Sequence, residues 1–167
     1  MNRHTIAILC LTVGLASGDA FGQAKVTRDQ LVGTWKYTSV VVQRTDGSRV
    51  EPFGPNPGGW LILAPGGRFS VTLLRSDLPK IGSKDRLTTT PQETEAVAHG
   101  VLAYFGTYSV NEADSSLNLH VDASSFANDN GTDQKRVITS FTGDELKWTN
   151  NTPTTPTTAY AVLKRIR

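Results

Sequence analysis

Leu31-Val32-Gly33-Thr34-Trp35-Lys36-Tyr37-Thr38-Ser39-Val40-Val41-Val42-Gln43 is the longest run of β-branched and aromatic residues in the chain, and the turn-former Asp46-Gly47 follows it. Side chains alternate across a strand. Gly33, Trp35, Tyr37 and Ser39 are therefore expected on one face, and Thr34, Lys36, Thr38 and Val40 on the other. Large rings on one side and a lysine on the other suit the first strand of a closed sheet. Gly33, with no side chain, lets another backbone come close, and Trp35 fills the space beside it.

Outward from that strand the same pattern repeats. Arg44-Thr45-Asp46-Gly47-Ser48 is a hairpin signal of the Asp-Gly kind. Glu51 to Gly59 holds three prolines and three glycines, which predicts an irregular rim loop near an opening. Trp60-Leu61-Ile62-Leu63 predicts a strand, Ala64-Pro65-Gly66-Gly67 a tight turn, and Arg68 to Leu74 a second strand with Phe69, Val71 and Leu73 on one face. Ser76 to Thr90 is polar, punctuated by Pro79 and Gly82, and reads as a mobile loop.

Thr90-Pro91-Gln92-Glu93 has the form of a helix start. Thr90 caps, Pro91 suits the first helical position and Glu93 reaches back. Val97, Val101 and Phe105 fall at helical spacing beside Ala98 and Leu102, which predicts about three turns. Beyond it, Tyr104 to Val110, Ser116 to Val121, Gln134 to Phe141, Leu146 to Thr149 and Ala159 to Ile166 predict strands. Ala127 to Asp133 is a turn and Asn150 to Thr157 a loop rich in Thr and Pro. Lys25 to Gln30 predicts a short helical turn before the first strand. About eight or nine antiparallel strands at hairpin spacing indicate an all-β fold, a small barrel or sandwich.

Composition bounds the rest. The chain has 167 residues and a formal charge of +2. Met1 to about Ala24 reads as a signal peptide: Arg3 is the basic end, Thr5 to Leu15 the apolar segment and Ala20-Phe21-Gly22 a small-x-small cleavage site. That apolar run is shorter than the roughly 20 residues of a spanning helix. The expectation is export to the periplasm or outside of a bacterial cell, with a single domain over residues 25–167. The one cysteine, Cys10, lies inside the leader, so the exported chain would have no disulfide and no thiolate site. Positive residues are scattered apart from Lys164-Arg165-Ile166-Arg167, unlike the basic stripe with interleaved aromatics of a nucleic-acid binder.

The ordered set Leu31-Val32-Gly33-Thr34-Trp35, Asp46-Gly47, Pro52-Phe53-Gly54 with Pro57, Pro65-Gly66-Gly67-Arg68, Tyr104-Phe105-Gly106-Thr107-Tyr108 and Gly131-Thr132-Asp133-Gln134 with Arg136 resembles the bacterial lipocalin-like domain family. The resemblance runs from about Leu31 to the C-terminus. It implies a closed, calycin-type antiparallel barrel with an internal cavity, and binding of a small hydrophobic molecule as the default role. It also implies an arginine near the end of the last strand, Arg165 or Arg167, stacked over Trp35. The chain departs from lipocalins in placing its helix mid-chain instead of after the barrel.

On that frame Tyr37, Phe69, Val71 and Tyr108 are expected to line the lumen, Arg136 and His120 to orient a polar end of the ligand, and the helix from Pro91 to lie over the mouth. Phe141 and Trp60 are further candidates for a pocket wall. His120 and Asp122 share a strand face opposite Leu117, Leu119 and Val121, so an apolar interior would leave them in solvent and a polar one would turn them inward. An enzyme performing isomerisation or cyclisation with His120, Tyr108 or Asp122 as acid or base is one alternative. A filled barrel serving as a structural or protein-binding module is the other. No metal set, cofactor motif, catalytic elbow or phosphate loop is present in the sequence. Asn130-Gly131-Thr132 and Asn150-Asn151-Thr152 match the glycan acceptor pattern and read as turns.

Overall fold

A computed structural model describes residues 25–150 and 157–167. The expected leader, with Cys10, and most of the Asn150 to Thr157 loop lie outside the described residues. Among the described residues nine strands run in chain order: β1 (Gly33–Gln43), β2 (Arg49–Val50), β3 (Gly58–Leu63), β4 (Arg68–Leu74), β5 (Val101–Asn111), β6 (Ser116–Ser124), β7 (Asp133–Phe141), β8 (Glu145–Asn150) and β9 (Thr158–Ile166). A single turn, α1 (Arg28–Leu31), precedes β1, and α2 (Pro91–Gly100) precedes β5. All pairings are antiparallel. β3 to β9 follow one another, and β1 pairs with both β3 and β9. Eight strands thus close into a barrel, with β2 as an extra strand folded back on the end of β1. Closure leaves no long free edge, so the barrel rather than the sandwich is realised.

The two ends differ. At one end Trp35 is fully buried, its indole N–H donating to the Leu31 carbonyl at 2.8 Å. Of the two C-terminal arginines it is Arg165 that covers the ring, its guanidinium carbon 4.1 Å from the ring centroid. That guanidinium also donates to the carbonyls of Val32 (2.9 Å), Gly143 (2.7 Å) and Gln30. Arg167 instead pairs with Asp144. The stacking is worth ~0.5–2 kcal/mol, and the carbonyl bonds tie α1 and the β7–β8 turn onto the barrel end. Gly33 has its role here, though with a different partner from the one expected. At φ +136°, a Cβ on it would lie 2.8 Å from Arg165 Nη1, so the missing side chain makes room for a guanidinium and not for a neighbouring backbone. Leu31, Leu61, Leu63, Phe69, Leu119 and Leu163 fill this closed end, with Phe141 packed on Trp35 at 6.2 Å between ring centroids.

Several sequence expectations change in the folded chain. A β-bulge lies between Tyr37 and Ser39, which inverts the parity of β1 and turns Val40 into the barrel instead of outward, with Val42 on the same side. Gly58 and Gly59 belong to β3 and not to the loop before it. Trp60 and Ile62 point outward while Leu61 and Leu63 point in, so Trp60 lines no lumen. The helix stops at Gly100, and Val101, Leu102 and Phe105 lie on β5. A Cβ on Gly100 would lie 2.7 Å from Leu78 Cδ2, so the helix ends where the preceding loop crosses it. The 76–90 segment is held by its own turns: Glu93 accepts from the backbone N–H of Thr90 and of Gly82, both at 2.8 Å, which joins the helix start to the loop.

Candidate functional site

The chain ends of β1, β4, β6 and β8 and the starts of β3, β5, β7 and β9 gather at the other end of the barrel, and there the interior is hollow. A cavity of about 610 Å³ opens between these strand ends. Its wall is mostly apolar and aromatic: Tyr37, Val40 and Val42 from β1, Leu73 from β4, Leu102 and Tyr104 from β5, Trp148 from β8, Ala159 and Ala161 from β9. Around the mouth stand the β1–β2 hairpin (Arg44, Thr45), Pro52 and Phe53, Ala98 and His99 of α2, and Phe126. The helix thus borders the opening as expected. The bulge in β1 matters for the site, because it places Val40 and Val42 on the cavity wall together with Tyr37. The Tyr37 and Trp148 rings meet edge to face at 6.1 Å.

Within this apolar wall sits one polar cluster. Gln134 and Arg136 alternate with Ile138 on the inner face of β7, with Lys135 outside. Arg136 is only 4% exposed. Its Nη2 donates to Gln134 Oε1 at 2.6 Å and to the Tyr104 hydroxyl at 3.1 Å. Its Nη1 is buried and has no hydrogen-bond partner among the described residues. Asp129, closing a 3-10 turn (Ala127–Asp129), is also buried, and its Oδ2 is likewise unpartnered among the described residues. Burial pushes the Asp129 carboxyl above the usual carboxylate range, with a hydrogen bond from Gln134 and the Arg136 charge acting the other way. Burial also holds the Tyr37 hydroxyl well above the usual phenol range, as does the neighbouring Tyr104, against the opposing Arg136 charge. These surroundings favour the neutral phenol at Tyr37.

The residues expected in the lumen separate into three groups. Tyr37 and Arg136 border the cavity. Phe69, Val71 and Tyr108 are buried inside the barrel but in its packed part, where Tyr108 donates to the Ala64 carbonyl at 2.8 Å and Arg28 lies over its ring. They support the site from beneath and do not border it. His120 is on the outside. It pairs with Asp133 across β6 and β7 at 2.8 Å and is half exposed, because Leu119 and Val121 take the inner face. Asp122 is outside too, paired with Arg68 at 2.8 Å. His120 and Asp122 therefore face outward and the Tyr108 hydroxyl is turned to Ala64, so none of the three borders the cavity. Among the described residues no three His, Cys, Asp or Glu side chains are grouped to hold a metal ion. None of the helices described is long and apolar enough to cross a membrane.

Asp129, Gln134, Tyr104 and Trp148 were not anticipated at the site. Parity offered a signal for three of them: Gln134 and Arg136 share a face with Ile138, Tyr104 and Tyr108 share a face of β5, and Leu146 and Trp148 share one of β8. Asp129 lies in a turn, where no periodicity exists to orient it.

The lipocalin-like domain family matches residues 32–164 of the chain. The chain belongs to that family. The match begins one residue before Gly33 and ends one before Arg165, so it spans β1 to β8 and all of β9 but its last two residues. Among solved structures, a redesigned β-barrel is similar at 12% identity, covering 87% of this chain and 100% of its own, with a TM-score of 0.46. No curated protein matches.

Proposed function

We propose that this lipocalin-like domain is an exported binder that takes one small, mostly apolar molecule into the open half of its barrel, with a carbonyl or other acceptor end of the ligand against Arg136. The observation that carries the reading is the combination of a cavity of about 610 Å³, walled by apolar and aromatic side chains, with a single buried guanidinium that has a nitrogen left over. An apolar wall supplies affinity without direction. A guest covering roughly 200 Å² of apolar surface would gain about 5 kcal/mol before the costs of ordering. The guanidinium supplies direction: a buried N–H without a partner costs about 1–3 kcal/mol, and a ligand acceptor removes that cost. Export is supported by the pattern of Met1 to Ala24 in the sequence.

The test is native mass spectrometry of protein purified from its own cells, followed by fluorescence titration of the emptied protein with acetylnaphthalene. A co-purifying small molecule, or saturable one-to-one binding of the probe that is lost when Leu102 is replaced by tryptophan to fill the cavity, is expected. Protein that arrives empty and binds no apolar probe would end the proposal. N-terminal sequencing of the protein recovered outside the cytoplasm tests export, with a start near Gln23 to Lys25 expected.

A further inference from the structure

Two residues of this cavity's lining each carry a buried polar atom without a partner among the described residues, and the two atoms are of opposite kinds: Arg136 Nη1 can only donate, and Asp129 Oδ2 of the carboxylate can only accept. Both residues border the same cavity, and Gln134 stands between them, accepting from Arg136 through Oε1 at 2.6 Å and hydrogen-bonding to Asp129. Among the described residues the guanidinium and the carboxylate do not satisfy each other's remaining atoms. From this juxtaposition we propose that the site is a clamp for a neutral head group that carries an acceptor and a donor side by side, such as a carboxamide or lactam. Its carbonyl meets Arg136 and its N–H meets Asp129. The inference rests on the proposed binding role and sharpens it from an acceptor end to a donor–acceptor pair.

The chemistry discriminates. A bare carboxylate satisfies Arg136 but brings a second negative charge beside Asp129 in a poorly hydrated site, and a hydrocarbon leaves both atoms unpaired. A carboxamide satisfies both without net charge.

Naphthamide, naphthoic acid and methylnaphthalene share one apolar body and differ only in the head, so their relative affinities read the clamp alone. Titrated into the wild-type protein at neutral pH, naphthamide is expected to bind roughly tenfold or more tighter than either of the others. In Asp129→Asn, whose side chain has the same shape, the order is expected to turn toward the acid: naphthoic acid gains and the ratio of amide to acid affinity falls by about tenfold. Equal affinities of all three in wild type would overturn the clamp and leave apolar binding standing. Preference for the acid in wild type, or an amide-to-acid ratio unchanged in Asp129→Asn, would also overturn it. Failure of all three to bind would remove the binding role itself, and the clamp with it. Should Asp129→Asn not fold, the wild-type order of the three probes decides alone.

Discussion

Replacing Arg136 by methionine separates a ligand-directing guanidinium from a structural strut. In the unliganded protein the group makes two hydrogen bonds, at 2.6 Å to Gln134 and 3.1 Å to Tyr104, and leaves Nη1 unpartnered while only 4% of the residue is exposed. Each charge-assisted bond contributes about 1.5–3 kcal/mol, against an unmade buried N–H at about 1–3 kcal/mol and a desolvation cost of several kcal/mol for the charge. These terms nearly cancel. Methionine fills a similar volume and removes the buried, half-paired charge, at the expense of the bonds to Tyr104 and Gln134. Stability of Arg136→Met is therefore expected within about 1 kcal/mol of wild type in urea unfolding. Ligand binding behaves differently. Acetylnaphthalene, a ketone without a donor, loses one bond from a charged group, or about 1.5–3 kcal/mol, which is roughly 10- to 150-fold in affinity. Ethylnaphthalene, lacking the carbonyl, is expected to bind wild type and variant alike within about threefold, since only apolar burial is involved. Calorimetric or fluorescence titration of both probes on both proteins gives the answer. Equal losses for ketone and hydrocarbon, or a stability loss above about 3 kcal/mol with unchanged ketone affinity, would refute the role given to Arg136.

Other substitutions test the frame around the cavity. Arg165→Leu removes the stacking on Trp35 and three backbone contacts at the closed end, so a loss of about 2–4 kcal/mol in urea unfolding is expected. Probe affinity, measured well below the unfolding transition, should stay within about twofold because the cavity lies at the opposite end. Glu93 is held below the usual carboxylate range, first by the Thr90 and Gly82 backbone N–H groups and then by the Thr90 hydroxyl. A carboxylate whose folded value is lowered contributes stability above its unfolded value and loses it as pH falls through the folded one. Glu93→Gln should therefore be less protected than wild type in hydrogen exchange over α2 and the 82–93 segment at neutral pH, with the difference vanishing in acid below the ordinary glutamate range. His120→Ala is expected to leave probe affinity unchanged and stability within about 0.5 kcal/mol, as befits an exposed pair on the outer wall. A change in probe affinity above about threefold would return His120 to the site.

The barrel was legible because strand parity and turn residues agree over most of its length. Gly33 to Tyr37, Phe69 to Leu73 and Leu117 to Val121 alternate cleanly, and the Asp46-Gly47 and Gly66-Gly67 turns sit where hairpins close. Parity fails wherever a bulge adds a residue, as at Tyr37/Ser39 and Ile138/Ser140, and a bulge is a response to curvature that the local sequence does not announce. The helix overran its end because Val97, Val101 and Phe105, spaced by four, satisfy a helical face and at the same time lie on alternate positions of a strand. The site was legible only where it rests on strands. Alternation points Tyr37 inward and the family resemblance singles out Arg136, whereas Asp129 depends on how a turn folds over the mouth. Nothing in the sequence decides which part of a barrel is packed and which is hollow. That is set by the depth to which Trp35, Arg165 and the leucines around them fill one end.

The three tryptophans stand at three different places: Trp148 on the cavity wall, Trp35 beneath Arg165 at the closed end, and Trp60 half exposed on the outer face. Their indole N–H resonances, followed by NMR during a titration with acetylnaphthalene, report where a guest goes. Binding in the open half of the barrel shifts the Trp148 signal and leaves Trp35 and Trp60 in place. Movement of Trp60 with Trp148 unchanged, or no movement at any of the three at saturating probe, would contradict a hollow working end.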